Sequence, residues 1–241
     1  SLSTKKGRSS NKMILLEGKR LIEEALSQKN KIQHIWFTIE FQNQNSAFIN
    51  NIKSKNINFD IIENKEIKII TNTIHPQSII AISEIKNGSL DNIKGNVIIL
   101  DNISDPGNLG TIMRSAAWFG ISNIFLSKEC VDPYNSKVIR SAMGAHFSQN
   151  IVMDQLENLI NWLDSNNYKL FSTDLSSNKN VQNLKIDKNE QWGIVFGNEA
   201  QGLSKTTKEK IKYSVKIPQV GTIESLNVAV ACGIFLYEMT K

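Results

Sequence analysis

The sequence of 241 residues predicts an α/β protein, and two observations lead to this fold class. From residue 97 onward, short apolar runs alternate with stretches whose apolar residues recur at helical spacing. A shorter stretch of mixed strand and helix patterns precedes them. Short apolar strands between amphipathic helices are typical of a mostly parallel sheet that is covered on both faces. We therefore expect a larger, mostly parallel α/β domain that follows a small α/β domain.

The first part of the chain predicts a basic arm and the small domain. Residues 1–12 are polar and basic, which is typical of a flexible arm, either a solvated tail or a phosphate-binding segment. Residues 13–88 are predicted to form the small domain, which opens with a short apolar run at 13–16. Strands are predicted at 35–37, 59–62 and 79–85, and helices from 17 onward, at 47–54 and at 65–71. The polar stretch 89–94 has the composition of a linker.

Residues 95–241 form the larger predicted domain. Strands are predicted at 97–101, 123–126, 151–153, 168–173, 193–197 and 214–217, and helices at 110–119, 134–143, 154–165, 202–211 and 224–239. The longest apolar run, Val228 to Tyr237, is too short to cross a bilayer, so we expect no membrane partner. Because this helix is apolar on nearly all sides, we expect it to be buried.

Composition limits the choice of partners. The formal net charge of +5 permits a polyanionic partner but does not require one. The two cysteines, Cys130 and Cys232, lie outside any C-x-x-C motif, which favours small core residues and a reducing, cytoplasmic setting. The three histidines show no spacing suited to a metal site, so we expect no metal.

Three polar loops each follow a predicted strand, which is where open α/β sheets bind ligands. They cover residues 102–110, 197–202 and 217–227. Arg114 lies about one turn into the helix after the first loop and is either a solvated helix charge or the partner of an anion. Glu199, in the second loop, can cap the next helix or orient a cation. Each loop alone fits a structural turn, but three at one end of a sheet favour a site.

Several familiar sites are missing from the sequence. There is no G-x-G-x-x-G after a strand, no Walker phosphate loop and no G-x-S-x-G nucleophile elbow. Neither a pair of carboxylates nor a histidine cluster marks a hydrolytic metal site. These absences argue against a dinucleotide-dependent dehydrogenase, a nucleoside triphosphatase of the Walker type and an α/β-hydrolase.

The three loops carry three long motifs in register. They read Asn102-x-x-Asp105-Pro106-x-Asn108-x-Gly110-x-x-x-Arg114-Ser115-Ala116, then Gly197-Asn198-Glu199-x-x-Gly202-Leu203-Ser204, then Ile217-Pro218 through Ser225-Leu226-Asn227-Val228-Ala229-Val230-Ala231. Over roughly residues 97–241 the chain thereby resembles the SpoU (TrmH-like) RNA ribose 2′-O-methyltransferases of the SPOUT superfamily. Ala229 departs from the family pattern, since Ser is frequent there, but it is not a candidate catalytic residue.

The N-terminal part is similar to the small substrate-binding domain of the same family. The similarity rests on Lys5-Lys6-Gly7-Arg8, on Leu16-Glu17-Gly18-Lys19-Arg20 and on the run from Pro76 to Ala81. Ser78 stands where Gly is frequent. The resemblance implies that this domain and the basic arm bind RNA, with ribosomal RNA favoured and transfer RNA as the alternative.

The resemblance also implies a fold, a cofactor and a site. It implies a trefoil knot in the C-terminal domain, a homodimer, and S-adenosylmethionine as the methyl donor for a ribose 2′-hydroxyl. The implied cofactor-binding residues are Thr173, Gly197, Asn198, Ile217 and Leu226. The implied catalytic residues are Arg114, Glu199, Asn108, Ser225 and Asn227.

The roles within this set stay open. Arg114 acts either as the base or, because a guanidinium stays protonated, as a clamp on phosphate and on the forming alkoxide. Glu199 either orients Arg114 or caps a helix, while Asn108, Ser225 and Asn227 offer hydrogen bonds to ribose or phosphate. Two other functions compete: a non-catalytic RNA-binding or ribosome-assembly factor of the same fold, and methylation of a base instead of a ribose.

Overall fold

The chain forms two compact units in the computed structural model. The structure describes residues 1–241 except 72, 74, 188, 199–201 and 204, and it leaves the side chains of 205 and 206 undescribed as well. The first unit combines Ser1–Lys86 with Tyr134–Phe147, and the second combines Asn87–Pro133 with Ser148–Lys241. The segment Tyr134–Phe147, which was predicted to lie in the larger domain, groups with the first unit.

The elements alternate along the chain in both units. The helices are α1 (Lys5–Asn11), α2 (Lys19–Ser27), α3 (Ile39–Gln44), α4 (Ser46–Ser54), α5 (Asn64–Thr71), α6 (Pro106–Trp118), α7 (Ser136–Ala142), α8 (Leu156–Ser165), α9 (Lys205–Lys210) and α10 (Val228–Met239). The strands are β1 (Met13–Glu17), β2 (Ile32–Phe37), β3 (Phe59–Ile61), β4 (Ile79–Glu84), β5 (Val97–Leu100), β6 (Asn123–Ser127), β7 (Asn150–Asp154), β8 (Lys169–Thr173), β9 (Trp192–Phe196) and β10 (Tyr213–Val215). None of the helices in the described part is long and apolar enough to cross a membrane.

The first unit is a four-stranded sheet in the order β1-β4-β2-β3. Strand β4 runs antiparallel to both β1 and β2, and β3 runs parallel to β2. Strand and helix side chains such as Leu16, Phe37 and Ile52 are fully buried in its core. Ile139 and Phe147 join the same core, which is why the segment after Tyr134 belongs to this unit.

The predicted flexible arm contains a helix instead. The Thr4 side chain caps α1 by accepting a hydrogen bond from the Gly7 amide at 3.1 Å. Arg8 is buried, and its guanidinium donates hydrogen bonds to the carbonyls of Leu2 and Ser3. The sequence did not predict this helix because it lacks apolar periodicity. A side-chain cap and an arginine bonded to backbone carbonyls stabilise it instead.

The second unit is a six-stranded, fully parallel sheet in the order β10-β8-β9-β5-β6-β7. This confirms the mostly parallel sheet predicted from the alternation of strands and helices. Val97, Ile99 and Val195 pack with Leu159 and Leu163 of α8 in one buried cluster. Alternate strand residues, among them Ile98, Ile124 and Ile194, are equally buried, so both faces of the sheet are covered.

Two helices next to the candidate site begin at positions that their caps determine. Helix α6 begins at Pro106 rather than at the expected residue 110, because Asp105 accepts a hydrogen bond from the Asn108 amide at 2.7 Å. Helix α10 begins at Val228 rather than at 224, because Asn227 caps the amides of Ala229 and Val230. The caps place Asn108 and Asn227 in or beside the first turns of two helices that pack on each other.

Candidate active site

The carboxyl ends of the central strands β5 and β9 are joined by two hydrogen bonds. The Asp101 amide donates to the Phe196 carbonyl at 2.9 Å, and the Asn198 side-chain amide donates to the Asn102 carbonyl, also at 2.9 Å. A cleft of about 930 Å³ opens here, lined by Asp101, Glu129 and Asn198, among others. From β5 the chain adds β6 and β7 on one side, and later adds β8, β9 and β10 on the other side. Open α/β sheets place their ligand sites at such a switch point.

The loop after β5 is held by short-range polar contacts. Asn102 has a positive φ of 53°, a left-handed conformation that Asn tolerates better than most residues. Its amide donates to the Ser127 hydroxyl at 2.9 Å. The buried Cys130 thiol accepts from the Ile103 amide and donates to the Leu100 carbonyl, each at 3.3 Å. The start of the first motif is therefore fixed to the end of β6.

Asp101 is the perturbed carboxyl of the cleft. Burial raises its pKa above the ordinary value, and the negative charge of Glu129 raises it further, whereas a hydrogen bond from Ser127 lowers it. Neither Asp101 nor Glu129 was among the predicted site residues. The available signal was their position, because each follows the end of a parallel strand.

The first and third motifs meet through two asparagines. The Asn227 side-chain amide donates to the Asn108 side-chain carbonyl at 2.9 Å, across 119 positions of sequence. Asn227 simultaneously caps α10 with its oxygen, while the Asn108 backbone amide is bonded to Asp105. Two predicted catalytic residues are thus in direct contact, and both are held by the starts of their helices.

Arg114 lies on the exposed side of α6, whose opposite side is buried through Met113 and Ala116. Among the residues that the structure describes, none forms an ion pair with it. Glu199, its predicted partner, lies outside the described residues. Ser225 is exposed in the segment that leads into α10. A guanidinium and a hydroxyl that face solvent are available to an incoming ligand.

The predicted cofactor-binding residues follow three neighbouring strands. Thr173 ends β8 and donates its hydroxyl to the Val195 carbonyl of β9 at 3.1 Å. Gly197 follows β9, and a Cβ there would lie 2.5 Å from the carbonyl carbon of Gly202, so only glycine fits. Ile217 follows β10 and is half-buried, whereas Leu226 is 51% exposed. The structure thus brings Thr173, Gly197 and Ile217 to one edge of the sheet.

No group of three or more His, Cys, Asp or Glu side chains in the described ranges is arranged to hold a metal ion. Beside the cleft carboxyls, the ends of the strands carry amide, hydroxyl and backbone groups, among them Asn102, Thr173 and Asn198. Such groups are hydrogen-bond donors and acceptors suited to an organic ligand.

Comparisons with known proteins agree with this arrangement. Residues 95–237 match the family described as the SpoU rRNA Methylase family, and residues 1–81 match an MRM3-like substrate binding domain. The chain is 32% identical to an uncharacterized tRNA/rRNA methyltransferase of Synechocystis sp., over 98% of this chain and 86% of the relative. It is 31% identical to the 23S rRNA (guanosine(2553)-2′-O)-methyltransferase RlmP of Bacillus subtilis, over 99% and 92%.

A solved structure shows the same similarity in three dimensions. The AdoMet-bound rRNA methyltransferase from Sinorhizobium meliloti superposes with a TM-score of 0.86 at 30% identity, covering 98% of this chain and 90% of that one. The fold and the three motifs define an RNA methyltransferase of the SPOUT type. The chain belongs to the SpoU rRNA methylase family, which confirms the resemblance inferred from the motifs.

Proposed function

We propose that this protein transfers a methyl group from S-adenosylmethionine to a ribose 2′-hydroxyl in structured RNA, with ribosomal RNA as the favoured substrate and transfer RNA as the alternative. The observation that carries the proposal is the Asn227–Asn108 hydrogen bond, which joins the first and third motifs on the helices next to Arg114. Family membership supports the reaction. The RlmP relative, named for 2′-O-methylation of a guanosine in 23S rRNA, supports the substrate class.

The residues at the carboxyl ends of β8, β9 and β10 fit an S-adenosylmethionine site. The absence of a side chain at Gly197 lets two backbone segments approach closely, and half-buried Ile217 adds apolar surface. We assign Thr173, Gly197, Asn198, Ile217 and Leu226 to hold the cofactor, within a trefoil knot of the second unit. When bound, S-adenosylmethionine supplies an activated methyl group on a sulfonium.

The chain's own residues would align and activate the ribose. Asn108, Ser225 and Asn227 offer hydrogen bonds that orient the ribose or its phosphate, and alignment is a large part of the rate of a bimolecular transfer. We assign exposed Arg114 to clamp the adjacent phosphate and to stabilise the negative charge that develops on the ribose 2′-oxygen as its proton passes to solvent water. Glu199 is assigned to orient Arg114.

The proposal includes a homodimer formed through α6 and α10. Val230, Ile234 and Tyr237 of α10 are each at least 36% exposed and lie three or four residues apart, so they form one apolar stripe. Trp118 at the end of α6 is 85% exposed. An apolar stripe of this kind suits an isologous interface, and sedimentation of the protein as a monomer at micromolar concentration would contradict it. We propose a cytoplasmic location, which the RNA substrate and the bacterial RlmP relative support.

A transfer assay tests the proposed substrate. The protein is incubated with methyl-labelled S-adenosylmethionine and with unmodified RNA that has been separated into ribosomal and transfer fractions. We expect label in the ribosomal fraction. Label in the transfer fraction alone would reassign the substrate. RNA binding without label in either fraction, with the cofactor bound, would favour the non-catalytic assembly factor.

A further inference from the structure

Three lysines of the second unit converge on one aromatic ring. The ammonium groups of Lys169, Lys179 and Lys212 lie 5.6 to 5.7 Å from the centre of the Tyr213 ring. Tyr213 in turn packs on the buried ring of Phe171, with the ring centres 5.7 Å apart. We call Lys169, Lys179, Lys212 and Tyr213 the lysine cluster.

The cluster carries more positive charge than its surroundings neutralise. Glu190 pairs with Lys169 at 2.9 Å. Neither Lys179 nor Lys212, both exposed, has an ion pair with a described residue. Cation–π contacts with Tyr213 stabilise each ammonium individually, but they do not remove the repulsion among three like charges. An anionic ligand would remove it.

The backbone holds the cluster in place. The segment that carries Lys179 lies along the edge strand β10, because the Lys216 amide donates to the Lys179 carbonyl at 2.9 Å and the Ser177 hydroxyl donates to the Ser214 carbonyl at 2.7 Å. Tyr213 is the first residue of β10, and Lys212 directly precedes it. The positions of the lysine stems are therefore set by the sheet edge.

Lys169 and Tyr213 of the cluster are the first residues of β8 and β10, and the candidate cofactor site lies at the carboxyl ends of these same short strands. Val215 is in register with Thr173, and Tyr213 is two residues earlier on β10, which corresponds to about 7 Å of strand. Residues two apart on a strand point to the same face of the sheet. An RNA whose target ribose lies at the carboxyl ends of the strands would therefore bring its flanking phosphates within reach of the lysines.

We propose that the lysine cluster is a binding site for the phosphate backbone of the RNA substrate, next to the target nucleotide. This inference rests on the proposed function. Point charges on flexible stems contact phosphates without reading the sequence, so the cluster contributes affinity and position. The nucleotide whose ribose is methylated is recognised elsewhere.

The test measures RNA affinity as a function of salt concentration. The exposed, unpaired lysines are replaced together, Lys179→Gln with Lys212→Gln, and the control replaces Lys94→Gln with Lys185→Gln, two exposed lysines of the same unit. The probe is a fluorescently labelled, unmodified transcript of large-subunit ribosomal RNA. Both double variants lose the same charge, so a difference between them reports position.

We expect the Kd of the cluster variant for RNA to rise about tenfold at 0.15 M salt. We also expect the slope of log K against log salt to become shallower by about 1.4, since each lost contact with single-stranded phosphate contributes about 0.7. Its affinity for S-adenosylmethionine and its kcat at saturating RNA should equal those of the wild type, whereas KM for RNA should rise.

Equal Kd and equal slope in the two double variants would overturn the inference. If the wild type methylates RNA and the cluster variant binds it unchanged, only the lysine cluster is refuted. If the wild type neither binds nor methylates RNA, the proposed function fails as well. Unchanged circular dichroism spectra and cofactor affinity show that the variants remain folded.

Discussion

The candidate active site contains one group of residues that the fold holds in place and a second group that is exposed to solvent. Gly197, Asn198 and Asn227 are held by close backbone packing or by hydrogen bonds of 2.9 Å. Arg114 and Ser225 face solvent. The first group fixes geometry before any ligand arrives, whereas the second supplies groups that an RNA can reach. Substitutions should therefore separate into those that disturb folding or cofactor binding and those that stop turnover alone.

The largest effect is expected at Arg114. Arg114→Ala should lower kcat about 10²- to 10³-fold, which is the loss typical of removing one group that stabilises developing negative charge. The melting temperature and the affinity for S-adenosylmethionine should stay unchanged, because the side chain is exposed. Arg114→Lys keeps the positive charge but loses the planar guanidinium, so its kcat should lie between that of the wild type and that of Arg114→Ala. Wild-type turnover in Arg114→Ala would remove Arg114 from the mechanism.

The next effect is expected at Gly197. In Gly197→Ala the new methyl group would lie 2.5 Å from the Gly202 carbonyl carbon and 2.6 Å from the Leu203 nitrogen, so the backbone must move. Overpacking of this kind costs about 1–3 kcal/mol. We therefore expect the Kd for S-adenosylmethionine to rise about tenfold, which corresponds to a loss of about 1.4 kcal/mol in binding free energy. Calorimetric titration with S-adenosylmethionine measures the change.

Gly221→Ala is the matched control for Gly197→Ala. A Cβ at Gly221 meets nothing within 4 Å, so its stability and cofactor affinity should stay at wild-type values. The same result for both variants would mean that close packing at Gly197 does not shape the cofactor site.

A smaller effect separates the two roles of Asn227. Asn227→Ala loses the cap of α10 and should reduce the free energy of unfolding by about 1 kcal/mol. Asn227→Asp keeps an oxygen for the cap but cannot donate to Asn108, so it should retain stability and still lose activity. Denaturant unfolding and turnover are measured for both variants. Full activity in Asn227→Asp would show that the contact between the motifs is dispensable.

The smallest effect concerns the pH dependence at Asp101. Because the folded state raises the pKa of this carboxyl, its charged form is disfavoured in the folded protein, and the associated stability falls as pH rises through the folded-state pKa. Asp101→Asn removes that dependence. Relative to the wild type, the variant should therefore have a larger free energy of unfolding at pH 7 than at pH 3.

Asp164→Asn, on the exposed side of α8, is the comparison for Asp101→Asn. If Asp101→Asn changes the free energy of unfolding equally at both pH values, burial of the Asp101 carboxylate does not destabilise the folded state.

Periodicity and motif spacing predicted the parallel sheet and the order of its strands and helices along the chain. They could not predict α1, which depends on the Thr4 cap and on Arg8 bonded to backbone carbonyls. They also placed Tyr134–Phe147 in the larger domain, whereas three-dimensional packing groups this segment with the first unit, since Ile139 and Phe147 join its core. Local sequence patterns predict helices and strands, whereas the boundaries of the compact units depend on contacts between residues far apart in the sequence.

The site follows the same division. The motifs named Asn108 and Asn227, but their hydrogen bond joins residues 119 positions apart and could not be read from either motif alone. The cleft carboxyls Asp101 and Glu129 were not predicted, because a single acidic residue after a strand is a common feature. The roles of Arg114 and Ser225 remain predictions, and Glu199 lies outside the described residues.

The chemical form of the product tests the central claim most directly. RNA labelled by the protein from methyl-labelled S-adenosylmethionine is digested with alkali, and the fragments are separated by size. A methylated 2′-hydroxyl cannot attack its own phosphodiester, so ribose methylation predicts label in alkali-resistant dinucleotides. Label released as mononucleotides would instead place the methyl group on a base and contradict the account.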